Sequence, residues 1–429
     1  MKLFFKVIIL FMIVFNLRLP YVYNSVVLAD FLVGFYYLFM RKSVPLNYFY
    51  FRYNAVILIA TLIMAFINLS FTVLHGEFYI QMLKRLILQF FMLSSFIFSL
   101  PLFIENDESE AYEKMTVLIC YAFALQGLIH LAGYLYTPLG NAIYDFKGPV
   151  FKAFMENPEY GIDKFRGYAL TGSIFFELPA AYGVACIMFF RLQLKEGQKY
   201  LTGLKAYAVF FFLIAGISLS GRTGFVGVFI GLFIYAYFSM NRFSKWMKNA
   251  WKIALGVVLA MGFFYLLLTP KQQKSLNDEI FPFAFEAYYN WRDKGTVSTS
   301  SSDALIHGHY FALRSETLLA GHGVPPGAHV GYGNSDAGYI NALVFGGVLY
   351  LLCLVIYQYL YFAFPLSITR RSRTVENKHD SLCFFLLFVY ILILEYKAEA
   401  LGTQHITEVL FIAVGSSFLI KYYYQLEHG

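Results

Sequence analysis

About twelve apolar runs, strung between Leu3 and Ile420 with short polar connections, constrain this chain more than any other feature in it. They lie near Leu3–Leu17, Tyr21–Met40, Tyr53–Leu74, Leu86–Ile104, Met115–Tyr136, Tyr168–Phe190, Ala206–Leu219, Gly224–Met240, Ile253–Thr269, Ala337–Phe364, Leu382–Ala400 and Ile406–Ile420. Most approach the roughly 17–25 residues that a helix needs to cross the hydrocarbon core. In lipid no water pairs with an exposed peptide group, so a spanning segment satisfies its own N–H and C=O groups as a helix. Composition agrees: charged residues are 14% of the chain, against roughly 25% in a soluble domain. The 48 Phe and 35 Tyr suit lipid contact and interfacial belts. The expectation is an all-α integral membrane protein, one polytopic domain over residues 1–429 with about twelve transmembrane helices.

Lys and Arg set the expected orientation. With the N-terminus in the cytoplasm, "RKSVPLNYFYFR", "RLQLKEGQKYLTGLK", "NRFSKWMKNAWK" and "ITRRSRTVENK" all fall inside, and both termini are cytoplasmic. The net charge of +7 is then mainly a topology signal and does not argue for nucleic acid. The opening "MKLFFKVIILFMIVFNLRLP" looks like a signal peptide but lacks a small-residue cleavage site, so it reads as a retained first helix. Cys120, Cys186, Cys353 and Cys383 all sit in apolar runs, with no metal-site or disulfide spacing. Two outer loops stand apart: a smaller one at 137–167, between the fifth and sixth helices, and a large one at 270–336, between the ninth and tenth. In the large loop, "EIFPFAFEAYYNWRDKG" interleaves aromatic and charged residues and suits a helix on the membrane surface.

Arg222 interrupts the oiliest part of the chain, in "ISLSGRTGFVGVFIGLF". "SGRTG" supplies turn residues, which puts the guanidinium near the outer interface, either snorkelling to lipid headgroups or directed into the bundle. Arginine suits forked recognition of phosphate oxygens. Other polar groups gather on the same expected face. Arg166 opens "FRGYALTGSIFFELPAAYG", and Glu177 is expected about three turns into that span, as a functional carboxylate or an arginine's ion-pair partner. The large loop adds His307, His309, Arg314, His322, His329 and Asp336. His307-x-His309 lacks further ligands at convincing spacing, so no metal is expected. Asp336 precedes the next span and suits a helix cap as well as a catalytic role. A ligand that fits guanidinium groups, one carboxylate and a lipid-embedded mouth has anionic phosphates, an apolar tail and a polar body: a polyprenyl diphosphate sugar.

At these residues the sequence resembles the Wzy-type O-antigen and capsule polymerases, in the superfamily that also holds the O-antigen ligases. "SLSGRTGF" is similar to the family's Ser-x-Ser-Arg-x-Gly turn, with Gly221 between serine and arginine. "RGYALTGSIFFELP" resembles an Arg…Gly…Glu-Pro stretch, with Leu178 before the proline. "GHGVPPGAHVGYGNSDAGYINALVFGGVLYLL" looks like the Gly-x-Gly…Ser-Asp-x-Gly-Tyr…Gly ending of the main periplasmic loop. The resemblance implies a metal-independent, inverting glycosyltransferase without cofactors in the bacterial inner membrane. It would join oligosaccharide repeat units carried on undecaprenyl diphosphate, with a chain-length regulator and a flippase as further partners. Arg222 and Arg314, supported by Arg166, would hold the diphosphate. Glu177 or a loop histidine, His309 or His322, would be the base, with Asp336 as a further catalytic candidate. The rivals are the ligase, whose His-Asn pair is replaced here by "GNSDAGY", and a flippase or other transporter, for which the expected internal repeats are not seen.

Overall fold

A computed structural model describes the chain except residues 1–2, 18, 20–23, 41–47, 78–79, 105–107, 157–163, 173–175, 196–198, 240–261, 263–264, 267, 328–331, 372–374, 403 and 429. The described residues are mostly helical, with no β-strand among them. In chain order the helices are α1 (Leu3–Phe15), α2 (Ser25–Met40), α3 (Tyr48–Leu74), α4 (Ile80–Ile104), α5 (Ala111–Leu135) and α6 (Thr137–Phe146). Next come α7 (Pro149–Met155), α8 (Glu177–Leu194), α9 (Gly203–Ser220), α10 (Gly224–Ser239), α11 (Pro270–Ser275) and α12 (Phe281–Ala284). The last six are α13 (Glu286–Lys294), α14 (Ser300–Ala304), α15 (Ser315–Ala320), α16 (Gly338–Arg371), α17 (Val375–Lys397) and α18 (His405–His428).

Among the described residues, seven helices are long and apolar enough to cross a bilayer: Phe51–Leu74, Leu83–Ile104, Glu108–Leu135, Gly203–Ser220, Gly338–Arg371, Lys378–Lys397 and His405–His428. Leu3–Phe15, Ser25–Phe39 and Gly224–Ser239 are apolar but shorter. Exposed faces carry Phe31, Phe35, Phe39, Ile63, Phe66 and Phe229, a surface that acyl chains accept and water does not. Most of the expected span Ile253–Thr269 lies outside the described residues. The expected span Tyr168–Phe190 starts later. Lys164–Tyr168 is a 3-10 turn, and the helix begins at Glu177. Glu177 is therefore in the first turn, not three turns deep. The segment 137–167, expected as the smaller outer loop, is itself partly helical (α6 and α7), and the expected surface helix is two pieces, α12 and α13, parted at Phe285.

The chain divides into two compact units. Unit 1 holds residues 1–42, 112–286 and 374–383. Its centre is α8, buried from Leu178 to Leu192. α10 packs along it through small residues: a Cβ on Gly227 would fall 2.3 Å from Gly183 Cα, and one on Gly231 3.2 Å from Cys186 O. Such glycines let helices approach closely enough for dispersion to hold them where no hydrophobic effect operates. At the other end of α8, Arg191 is buried. Its Nε donates to Asp380 Oδ1 at 2.7 Å, its Nη1 lies 3.6 Å from Glu113 Oε1, and its Cζ lies 4.0 Å from the Tyr112 ring centre. Lys195 Nζ adds a 2.8 Å contact to the same Glu113.

Unit 2 holds residues 43–111, 287–373 and 384–429. α18 is its most buried helix and packs on α3, α4 and α16. α16 is broken at Gly346 and Gly347, the latter at φ +66°. The break frees two carbonyls, and the segment after α15 takes them: His322 N donates to Val344 O and Gly323 N to Phe345 O, both at 2.8 Å. Gly321, at φ +70°, lies so close to Gly346 that a Cβ would meet its backbone at 2.5 Å. Only glycine fits both the conformation and the contact.

Candidate substrate-binding site

The turn around Arg222 is as short as its residues suggest. α9 ends at Ser220 and α10 starts at Gly224. Gly221 N closes the helix onto Ile217 O at 2.9 Å, and Phe225 N returns to Arg222 O at 3.0 Å. Gly221 leaves room for what packs beneath: a Cβ there would sit 3.1 Å from Pro179 Cγ and 3.6 Å from Arg166 Nη2. Arg166, from the 3-10 turn, donates through Nε to the carbonyl of Ser220 at 3.0 Å. That carbonyl is one of those that the end of α9 leaves without an intrahelical partner.

Both guanidinium groups lie against one aromatic ring. Arg222 Cζ is 5.0 Å and Arg166 Cζ 5.5 Å from the centre of Phe283 on α12. Arg222 Nη1 also pairs with Glu286 Oε2, at the start of α13. The arginine keeps about a fifth of its side chain exposed (19%), so it is reachable from solvent. Two lysines belong to the segments around Arg166. Lys147 Nζ donates to Gly167 O at 2.9 Å, and Lys164 Nζ lies 5.2 Å from the Tyr144 ring centre. Burial pushes the Lys147 ammonium down from its usual range to about 7. Glu177, half-buried in the first turn of α8, lies two residues before the Pro179 that packs under this turn.

An apolar groove opens next to the arginines. Leu131 and Tyr134 from α5, Ile214 and Leu219 from α9, and Phe281 and Ala284 from α12 line it. α12 thus serves both features: Phe281 and Ala284 face the groove, and Phe283 underlies the guanidinium groups. A cation pair beside an apolar trough can take a ligand with an anionic head and a long hydrocarbon tail.

The other expected site residues belong to unit 2. His309 and Asp336 meet there: Nε2 lies 3.5 Å from Asp336 Oδ2, and Asp336 N donates to Nδ1 at 3.0 Å. The Ser335 hydroxyl accepts from Ala337 N at 3.1 Å, beside the start of α16 where Asp336 had been expected to cap. His322 Nε2 bonds to Thr317 Oγ1 at 2.9 Å, and Thr317 Oγ1 to Tyr332 OH at 2.8 Å. With its backbone capping the break in α16, His322 has a structural role. Arg314 precedes α15, where it is exposed. Its backbone N–H, 3.4 Å from Tyr332 OH, touches the same cluster. His307 lies in the turn Leu305–His309, and His329 lies outside the described residues. Among the described residues no His, Cys, Asp and Glu cluster could hold a metal ion, and all four cysteines are free.

No protein-family model, curated protein or solved structure matches this chain. Sequence reasoning missed Phe283, Glu286, Lys147 and Lys164. The alternation of aromatic and charged residues around Phe283 is the signal for the first two, and it equally suits a membrane-surface helix.

Proposed function

We propose that this protein is a membrane glycosyltransferase that joins oligosaccharide units carried on a polyprenyl diphosphate, in the manner of O-antigen and capsule polymerases. The observation that carries this reading is the pairing of Arg166 and Arg222 on the Phe283 ring beside an apolar groove. The diphosphate would lie on the two guanidinium groups and the prenyl chain in the groove. A hydroxyl of the acceptor sugar attacks the anomeric carbon of the donor. A carbon–oxygen bond forms, the bond to the diphosphate breaks, and the leaving group takes the electron pair. Positive charge fixed beforehand at that place lowers the barrier, because the negative charge develops there. In unit 1 Glu177 is the candidate to take the hydroxyl proton. His309, oriented by Asp336, and His322 are separate candidates on unit 2. Arg314, exposed before α15, is a further candidate for the diphosphate.

The reading places the protein in a bacterial inner membrane with both termini cytoplasmic and residues 270–336 outside, served by a flippase and a chain-length regulator. Cysteines introduced at Ser300 and Ser372 in a cysteine-free chain test the orientation. Ser300 labels with an impermeant thiol reagent in intact cells, and Ser372 only after lysis. The function is tested with the purified protein and a synthetic lipid-linked repeat unit: a glycan ladder is expected. Transfer of finished polymer to a lipid core without elongation would instead make it a ligase. Movement of the lipid-linked unit across a liposome bilayer without bond formation would make it a transporter.

A further inference from the structure

Inside unit 2, four amide side chains from different parts of the fold are each half satisfied. Asn54 on α3, Gln89 on α4, Gln358 on α16 and Gln404 before α18 are at most 4% exposed. Each uses one end. Asn54 Oδ1 accepts from Ser416 Oγ at 2.8 Å, and Gln89 Nε2 donates to Tyr357 OH at 2.9 Å. Gln358 Oε1 accepts from Gly402 N at 3.2 Å, and Gln404 Nε2 donates to Glu399 O at 3.0 Å. The other ends, Asn54 Nδ2, Gln89 Oε1, Gln358 Nε2 and Gln404 Oε1, are buried without a hydrogen-bond partner among the described residues. The assignment is secure for two of them. A backbone N–H can only donate and a backbone carbonyl only accept, so Gln358 must present its NH2 and Gln404 its oxygen.

The hydroxyls between these amides are connected. Tyr357 OH lies 2.9 Å from Thr61 Oγ1, Gln89 Nε2 and Tyr361 OH alike. Tyr53 OH donates to Tyr361 O at 2.8 Å, and the carboxyl of Glu408 lies near enough to act electrostatically on the Tyr53, Tyr357 and Tyr361 hydroxyls. Glu408 itself is fully buried. At the corner between α17 and α18, Glu399 accepts from Arg85 Nη1 at 2.6 Å and Asn341 Nδ2 at 3.0 Å, and keeps 24% of its side chain exposed.

We infer that unit 2 binds a file of ordered water along this seam, held by Gln89, Gln358 and Gln404 and connecting Glu408 to solvent at the Glu399 corner. The mixture of unmade bonds selects the ligand. A cation would satisfy only the oxygens and an anion only the NH2 groups, whereas water donates and accepts. The amides lie on helices that read as membrane-spanning or border them, where an unmade hydrogen bond is costly and water or a neighbour must supply it. The consequence is chemical: Glu408 stays in hydrogen-bonded contact with solvent despite its burial.

The test is hydroxyl-radical footprinting of the full chain in lipid nanodiscs, with X-ray pulses that generate radicals from bound water. Tyr357 and Tyr361 are compared with exposed Tyr288 and with Tyr182, which is fully buried against Phe123. Modification of Tyr357 and Tyr361 several-fold faster than Tyr182 is expected. Modification as slow as that of Tyr182, while Tyr288 reacts, overturns the inference, and the wild-type protein alone gives this answer. In the variant Gln358→Leu with Gln404→Leu, the fast modification should be lost. A folded variant that keeps the wild-type rate would show that these amides do not hold the water, and would overturn the assignment.

Discussion

Arg166 Nε donates to the main-chain carbonyl of Ser220 across 3.0 Å, so one arginine ties down the helix end that presents the other. Arg222 follows two residues later and reaches the same Phe283 ring. The two cations are set near each other by a backbone contact that a diphosphate need not create. Such preorganisation counts most when charge builds up during a reaction.

Arg222→Lys should fail nearly as badly as Arg222→Ala. Lysine keeps the charge but loses the fork that engages Glu286 and the flat face on Phe283. Polymer formation should drop on the order of a hundredfold in both, as when one fixed donor to a developing anion is removed. Polymer length at matched membrane levels is the measurement. Full activity with lysine would reduce Arg222 to a point charge.

Glu286→Gln should tighten binding of undecaprenyl diphosphate. The Glu286 carboxylate pairs with Arg222, so a phosphate bound there would compete with it. Ion pairs open to solvent contribute about 0.2–1 kcal/mol, which makes the gain roughly 1.4- to fivefold in Kd. Titration of each purified variant with the lipid checks it. Weaker binding would show that Glu286 supports the site.

Glu177→Gln separates the candidate bases. The amide preserves shape and cannot take a proton. With Glu177 as base, turnover should fall about a hundredfold or more while lipid binding is unchanged. Near-normal turnover by well-folded protein would move the role to His309, and His309→Gln would then show the loss.

Lys147 should make stability rise with pH. Its folded value, near 7, lies below the ordinary lysine range. Between the two, the unfolded chain binds more protons than the folded one, so the folded state gains as pH rises through that window. Below about pH 7 the full penalty is present. Thermal unfolding from pH 7 to 10 should show this slope in the wild type and a flatter one in Lys147→Met. Equal slopes would contradict it.

Arg191→Met should destabilise unit 1 by about 3–5 kcal/mol, because buried Asp380 loses the cation it is bonded to, while Glu113 keeps Lys195. Adding Asp380→Leu should recover part of that loss, since the uncompensated charge goes with it. The melting temperatures of the purified single and double variants decide. A double variant less stable than the single one would argue against the ion cluster as the cause.

Much of the helical architecture was legible because it follows from short-range chemistry. Apolar runs that must satisfy their own peptide groups become helices, and Ser-Gly-Arg-Thr-Gly makes a turn wherever it lies. Glu177 shows the limit. Hydropathy runs on from Tyr168, but a 3-10 turn occupies Lys164–Tyr168 and the helix begins only at Glu177. Arg191 shows it again. Its neighbours in sequence are connection residues, and it reads as one more charge at the membrane surface. Its partners, Glu113 and Asp380, come from α5 and α17. Likewise α16 reads as one uninterrupted span. Its break at Gly346 and Gly347 is held by Gly321, His322 and Gly323, which the sequence places some two dozen residues away.

By itself the sequence determined that the chain is built of apolar helices and that Arg222 sits in a tight turn between two of them, because backbone hydrogen bonding and solvation are decided within a few residues. Only the tertiary structure decided that Arg166 and Arg222 share the ring of Phe283, that Glu286 occupies one of them, and that Arg191 is buried. Those pairings join segments tens of residues apart, and packing rather than local preference selects which of many cations and aromatic rings meet.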